Sequence, residues 1–129
     1  MGLCYGTEAI VVNLLKTTLH APRPRIELGI ENMHTIAGVE IHSYYSMPSG
    51  HTAAAFIGFG IIALVSNKRW IHVVCAFAAA LVAYSRLYLG QHYLRDVMAG
   101  EIIALLILLV FWRLHDRFFH LKFERRNAK

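Results

Sequence analysis

The sequence predicts an all-α, integral-membrane helical bundle of about four transmembrane helices. Hydrophobic residues make up 57% of its 129 residues and charged residues only 16%, and the mean hydropathy of +0.46 lies outside the usual range of a soluble domain. The apolar residues gather into four long runs, and the polar residues collect where those runs end. With no repeat, low-complexity tract or change of composition along the chain, residues 1–129 read as a single domain.

The first run, about residues 3–20, carries Glu8, Asn13 and Lys16. These three should face the bundle interior, because ionisable groups exposed to lipid are costly. The second run, Thr52–Ser66, reaches spanning length only if its helix begins near Ser49. Trp70–Leu89 and Val97–Leu114 qualify alone, since 18 to 20 residues rising about 1.5 Å each cover roughly one hydrocarbon core. Residues 21–48 mix prolines, glycines and both signs of charge and are expected to form an extramembrane loop; residues 115–129 form a basic tail. The opening "MGLCYGTEAIVV" lacks the charged start and cleavage site of a signal peptide.

The formal net charge of +5 matters less than its placement. Lys68 and Arg69 fill a short break between runs and join the basic tail on one side of the bundle, while Lys16, Arg23, Arg25, Arg86 and Arg95 surround the polar motifs. No aromatic residues alternate with a basic stripe, so nucleic acid is not an expected partner. The positive-inside rule puts "SNKRW" and the C-terminus in the cytoplasm. The opposite helix ends are then extracytoplasmic. Cys4 and Cys75, in separate apolar stretches without ligand spacing, read as small buried hydrophobes.

This topology brings three polar clusters to the same, extracytoplasmic side. Lys16 and "APRPR" close the first run, "PSGH" opens the second, and "SRLYLGQHYLRD" joins the third to the fourth. Pro48 and Ser49 are helix-start signals, Gly50 allows a ligand close to the backbone, and free N–H groups there attract an anion. His51 would stand beside it as a proton donor. His92 and Asp96, four apart, share a face if that segment is helical, and a carboxylate on one ring nitrogen leaves the other free as acceptor or nucleophile. Lys16, Arg23 and Arg86 supply fixed charge suited to a tetrahedral oxyanion. Singly these are ordinary features: a helix cap, snorkelling arginines, a structural histidine. Their convergence is what points to phosphate. His20, His34, His42, His72, His115 and His120 have no such context and read as surface or interfacial residues.

The three clusters resemble the signature of the type 2 phosphatidic acid phosphatase superfamily, which also includes the vanadium haloperoxidases and glucose-6-phosphatase. Its first part, a lysine followed after six residues by Arg-Pro, is matched by Lys16 and Arg23-Pro24. Pro48 to His51 match the second, and Ser85-Arg86, His92 and Asp96 the third. The resemblance spans residues 16 to 96 without a departure. It implies that Lys16, Arg23, Ser49, Gly50 and Arg86 hold a phosphate, that His92 attacks phosphorus, that Asp96 orients His92, and that His51 protonates the leaving oxygen. It implies no metal and no cofactor. The implied activity is that of a membrane phosphatase on a lipid phosphate or diphosphate: phosphatidate, phosphatidylglycerophosphate, polyprenyl diphosphate or lipid A. Membrane members of this family usually have six spans with the motifs on the last four, so the chain is expected to lack the first two helices. A truncated module that only binds anionic headgroups is the alternative. A haloperoxidase-like enzyme fits less well, because of the hydrophobic spans.

Overall fold

The structure is a computed structural model that describes residues 2–32 and 42–127. The described elements are all helical: α1 (Gly2–Leu19), α2 (Pro24–Leu28), a 3-10 turn (Ile30–Asn32), α3 (Gly50–Val65), α4 (Arg69–Tyr88) and α5 (Leu94–Asn127). Residues 33–41 of the expected loop, with His34, lie outside the described residues, as do the side chains beyond Arg117, with His120.

α3 is the central helix, packed chiefly on α4 and α5 and more lightly on α1. Its buried face is made of small or compact residues, Thr52, Ala53 and Ile57, and small residues let helix backbones approach closely where lipid supplies no hydrophobic drive. Four-residue spacing brings partners to it from each neighbour: Cys4, Glu8 and Val12 from α1, Cys75, Ala79 and Ala83 from α4. Ala104, Ile107 and Leu108 of α5 complete the core cluster with Cys4, Val12, Ala53 and Ile57.

Two stretches, α4 and Leu94–Arg117 of α5, are long and apolar enough to cross a membrane. Only 17% of the first and 28% of the second is buried, so Trp70, Phe77, Leu81 and Leu106 turn large apolar surfaces outward. A helix at the core of a soluble protein would be mostly covered; a lipid-facing helix is apolar on its open side. α5 runs well past the expected end at Leu114 because nothing in "HDRFFHLKFERRN" breaks a helix.

Three expectations need correction. Glu8 is buried and Lys16 half-buried, as expected, but Asn13 is exposed: it lies about 100° around the helix from Val12, off the buried stripe. α3 starts at Gly50 yet has only 16 residues, a rise of about 24 Å against a core of about 30 Å. Residues 42–49 lead into its N-terminus, and Ser46, Pro48 and Ser49 of that segment are buried. The segment after α1 is not all loop either. Pro24 at the first helical position starts α2, and Pro22 bridges to Tyr44, which returns the chain to the head of α3.

Candidate active site

Ser49 caps α3 with an extended backbone, and its Oγ accepts from the Thr52 N–H at 3.5 Å and from Thr52 Oγ1 at 3.0 Å. Its own N–H donates to the Asp96 carbonyl at 2.9 Å, which ties the head of α3 to the first turn of α5. That contact requires a glycine opposite: a Cβ on Gly100 would lie 2.5 Å from the Ser49 carbonyl oxygen. A Cβ on Gly50 would lie 3.9 Å from Lys16 Nζ. The lysine ammonium thus stands over the first turn of α3, where backbone N–H groups lack intrahelical acceptors. His51 is exposed at the same end, within electrostatic range of Arg86, His92, Lys16 and Arg23.

Arg23 is 7% exposed. Its Nε donates to the Tyr44 carbonyl at 3.1 Å, and its Nη1 to the Gln91 carbonyl at 3.0 Å and to Gln91 Oε1 at 2.7 Å. The guanidinium is thereby aimed by two loops at once. Arg86, in the last turn of α4, donates from Nε to Ser85 Oγ at 3.1 Å. The five residues between Arg86 and His92 are the turn that closes α4. Gly90 supplies the positive φ of 63°, and the Gln91 N–H returns to the Arg86 carbonyl at 3.1 Å, so the chain doubles back and leaves His92 beside the arginine's helix end.

His92 precedes α5 rather than lying on it, so the shared helical face expected for His92 and Asp96 is not what joins them. Tyr93 caps α5, with its carbonyl accepting from Asp96 N at 3.0 Å. The Asp96 side chain reaches back to accept from the Tyr93 N–H at 2.9 Å, the reciprocal half of a capping box. The same oxygen, Oδ2, accepts from Ser46 Oγ at 2.5 Å and lies 3.7 Å from His92 Nδ1. Ser46 Oγ is itself 3.5 Å from Nδ1. Oδ1 is buried without a hydrogen bond among the described residues, 3.7 Å from the exposed Arg95 Nε. Burial holds the His92 imidazole below its ordinary pKa, and Asp96 opposes that shift only in part. On the outer side the Tyr93 hydroxyl donates to Glu27 Oε2 at 2.6 Å and so fastens α2 to the turn.

All eight residues singled out in the sequence converge: Lys16, Arg23, Ser49, Gly50, His51, Arg86, His92 and Asp96. Two members of the network were not foreseen, Ser46 and Gln91. Ser46 lies two residues before Pro48, so the signal was nearness to a motif. Nothing in the sequence announces Gln91, whose contact with Arg23 spans 68 positions. Among the described residues no three His, Cys, Asp or Glu side chains group to hold a metal ion. Lys16, Arg23 and Arg86 bring positive charge to this end of the bundle.

The helices thus bring three basic side chains and a histidine–carboxylate pair to one end of the bundle. Residues 1–120 match the model of the PAP2 superfamily, and the chain belongs to that superfamily. It is 29% identical over 116 residues to phosphatidylglycerophosphatase B of Bacillus subtilis (strain 168), covering 83% of this chain and 52% of that protein. Undecaprenyl-diphosphatase BcrC of the same organism is 30% identical over 115 residues, covering 86% of this chain and 54% of that one. The chain spans about half the length of these curated relatives. Among solved structures, Aquifex aeolicus LpxE superposes with a TM-score of 0.76 at 30% identity, over 86% of this chain and 64% of that chain.

Proposed function

We propose that the protein is a metal-independent phosphatase of lipid phosphates or lipid diphosphates, working through a phosphohistidine. The observation that carries this reading is the meeting of three cationic side chains and a helix N-terminus with a buried histidine–aspartate pair and a second, exposed histidine. Lys16, Arg23, Arg86 and the first N–H groups of α3 bind the phosphate oxygens and stabilise the charge that grows on them in the transition state. Ser49 and Gly50 shape that end of the cage.

Burial lowers the pKa of His92, which favours the neutral ring and the lone pair it keeps on one nitrogen. Its Nε2 attacks phosphorus, the bond from phosphorus to the leaving oxygen breaks, and His51 gives that oxygen a proton. The ring, now bonded to phosphorus, carries positive character opposite Asp96. Water then attacks phosphorus, His51 takes the water proton, and the N–P bond breaks to return neutral His92. The charge that metal ions supply in other phosphoryl transfers falls to the cage. The two B. subtilis relatives are named for a glycerophospholipid phosphate and a polyprenyl diphosphate, and a site at the end of an apolar bundle suits a headgroup whose tail stays in lipid. The site faces the extracytoplasmic side, since Lys68, Arg69 and the tail mark the other as cytoplasmic.

Phosphate release from phosphatidylglycerophosphate, phosphatidate and farnesyl diphosphate in detergent, with EDTA present, tests the reading. Turnover of at least one substrate, abolished in His92→Ala with acid-labile phosphate trapped on the wild type alone, is expected. Turnover unchanged in His92→Ala would sink it.

A further inference from the structure

We infer that Ser46 is a positioning residue for the candidate nucleophile, its buried hydroxyl bridging Asp96 and the His92 ring and so fixing the ring's tautomer and orientation. The inference rests on His92 being the nucleophile. It starts from a distance: His92 Nδ1 and Asp96 Oδ2 are 3.7 Å apart, beyond a hydrogen bond, so the carboxylate does not hold the ring alone. Ser46 Oγ stands at the third corner, 2.5 Å from Oδ2 and 3.5 Å from Nδ1.

The carboxylate fixes the donor and acceptor on one side of that triangle. An ionised carboxylate only accepts, so the Ser46 O–H points to Asp96 and its lone pairs are left for a donor. The neighbouring ring nitrogen fills that role as Nδ1–H, which leaves Nε2 with the lone pair an attack on phosphorus needs. As the N–P bond forms, the ring gains positive charge, and the hydroxyl carries the pull of the Asp96 carboxylate to the Nδ1 proton, which stays on the ring.

Ser46 is also held where a positioning group has to be. It is 0% exposed, its N–H donates to the Ala21 carbonyl at 3.0 Å, and the preceding Tyr45 is kept at a φ of 62°, a conformation non-glycine residues adopt only when the surroundings impose it. The Tyr93 N–H pins the same Asp96 oxygen from the other side. A hydroxyl serving structure alone would be satisfied by any backbone carbonyl; this one is turned to both members of the pair.

The test compares wild type, Ser46→Ala, Ser46→Thr and His92→Ala in the full chain. Ser46→Ala is expected to lower kcat by about 10- to 100-fold, the scale of a misaimed reacting group, with KM and inhibition by orthovanadate within about twofold. Asp96, freed of its donor, draws nearer the ring, so the acid limb of kcat/KM moves to higher pH. Ser46→Thr, which keeps the hydroxyl, recovers most of kcat. In histidine-¹⁵N NMR, independent of turnover, His92 shows the Nδ1–H tautomer in wild type and a tautomer mixture in Ser46→Ala. If Ser46→Ala does not accumulate, Ser46→Cys takes its place. Wild-type kcat, pH limb and tautomer in the Ser46 variant, beside an inactive His92→Ala, would overturn the role of Ser46 alone. Equal loss of kcat and of vanadate inhibition would reduce it to a structural residue. Turnover surviving in His92→Ala would instead overturn the nucleophile assignment, and this inference with it.

Discussion

Arg23 shows why charge alone would not define a phosphate-binding residue. Its guanidinium uses Nε and Nη1 on the Tyr44 carbonyl and Gln91, contacts a fork can make while still presenting charge to a ligand and a point charge cannot. Arg23→Lys is therefore expected to lose about 10²-fold or more in kcat/KM, Arg86→Lys comparably, and the exposed Arg113→Lys almost nothing. Equal tolerance at all three in a phosphate-release assay would refute the cage. A second expectation concerns pH. Burial depresses the His92 pKa, so the neutral, nucleophilic ring is fully present above the ordinary value of about 6.5. It is lost only as pH falls through the lowered one. The acid limb of kcat/KM, which reports the free enzyme, should lie below about pH 6.5; a limb at or above that value assigned to His92 would contradict the burial. The eight candidate residues stand out in the sequence because each belongs to a short motif whose spacing carries meaning. Ser46 and Gln91 do not, because their partners, Asp96 and Arg23, lie 50 and 68 positions away, and only the fold brings them together.

At the scale of elements, the site depends on how closely α3 and α5 approach at their N-termini. A methyl at Gly100 meets the Ser49 carbonyl oxygen at 2.5 Å and the Ala53 nitrogen at 3.4 Å, both backbone, so neither can move without shifting the α3 cap. A methyl at Gly58 meets only the Tyr5 hydroxyl at comparable distance, 2.5 Å, the tip of a side chain that can swing away. Gly100→Ala should thus cost about 1–3 kcal/mol of stability and most of the activity, and Gly58→Ala little of either. Thermal unfolding in detergent together with phosphate release would check the pair; matching behaviour of the two variants would mean the α3–α5 contact is not as tight as the structure has it. The long runs behind α4 and α5 were plain in the sequence because apolar length is the membrane's own requirement. α2 was hidden, since five residues opening on a proline look like loop. The short span of α3 was visible in part, since the run Thr52–Ser66 is itself too short to cross and the helix adds only Gly50 and His51 ahead of it.

For the whole molecule, the remaining question is which way the bundle sits. Its two polar ends differ in kind. One holds Lys68, in the α3–α4 connection, and Arg69, at the start of α4, both exposed, together with the basic tail of α5; the other holds Lys16, Arg23 and Arg86, buried or half-buried around the candidate site. Orientation is set by Lys and Arg in short loops beside the spans, so the first group should be retained in the cytoplasm. Lys16, Arg23 and Arg86 would then face outward, where the headgroup of an outer-leaflet lipid would meet them. Asn32, exposed beside α2, and Asn67, exposed between α3 and α4, report the two sides. In a chain carrying Cys4→Ala and Cys75→Ala, single replacements Asn32→Cys and Asn67→Cys can be treated in intact cells with a thiol reagent that does not cross membranes. Labelling at position 32, with position 67 reacting only after the cells are opened, is expected. The reverse pattern would place the site in the cytoplasm and shift the substrate to inner-leaflet lipids, while leaving the chemistry of the cage as it stands.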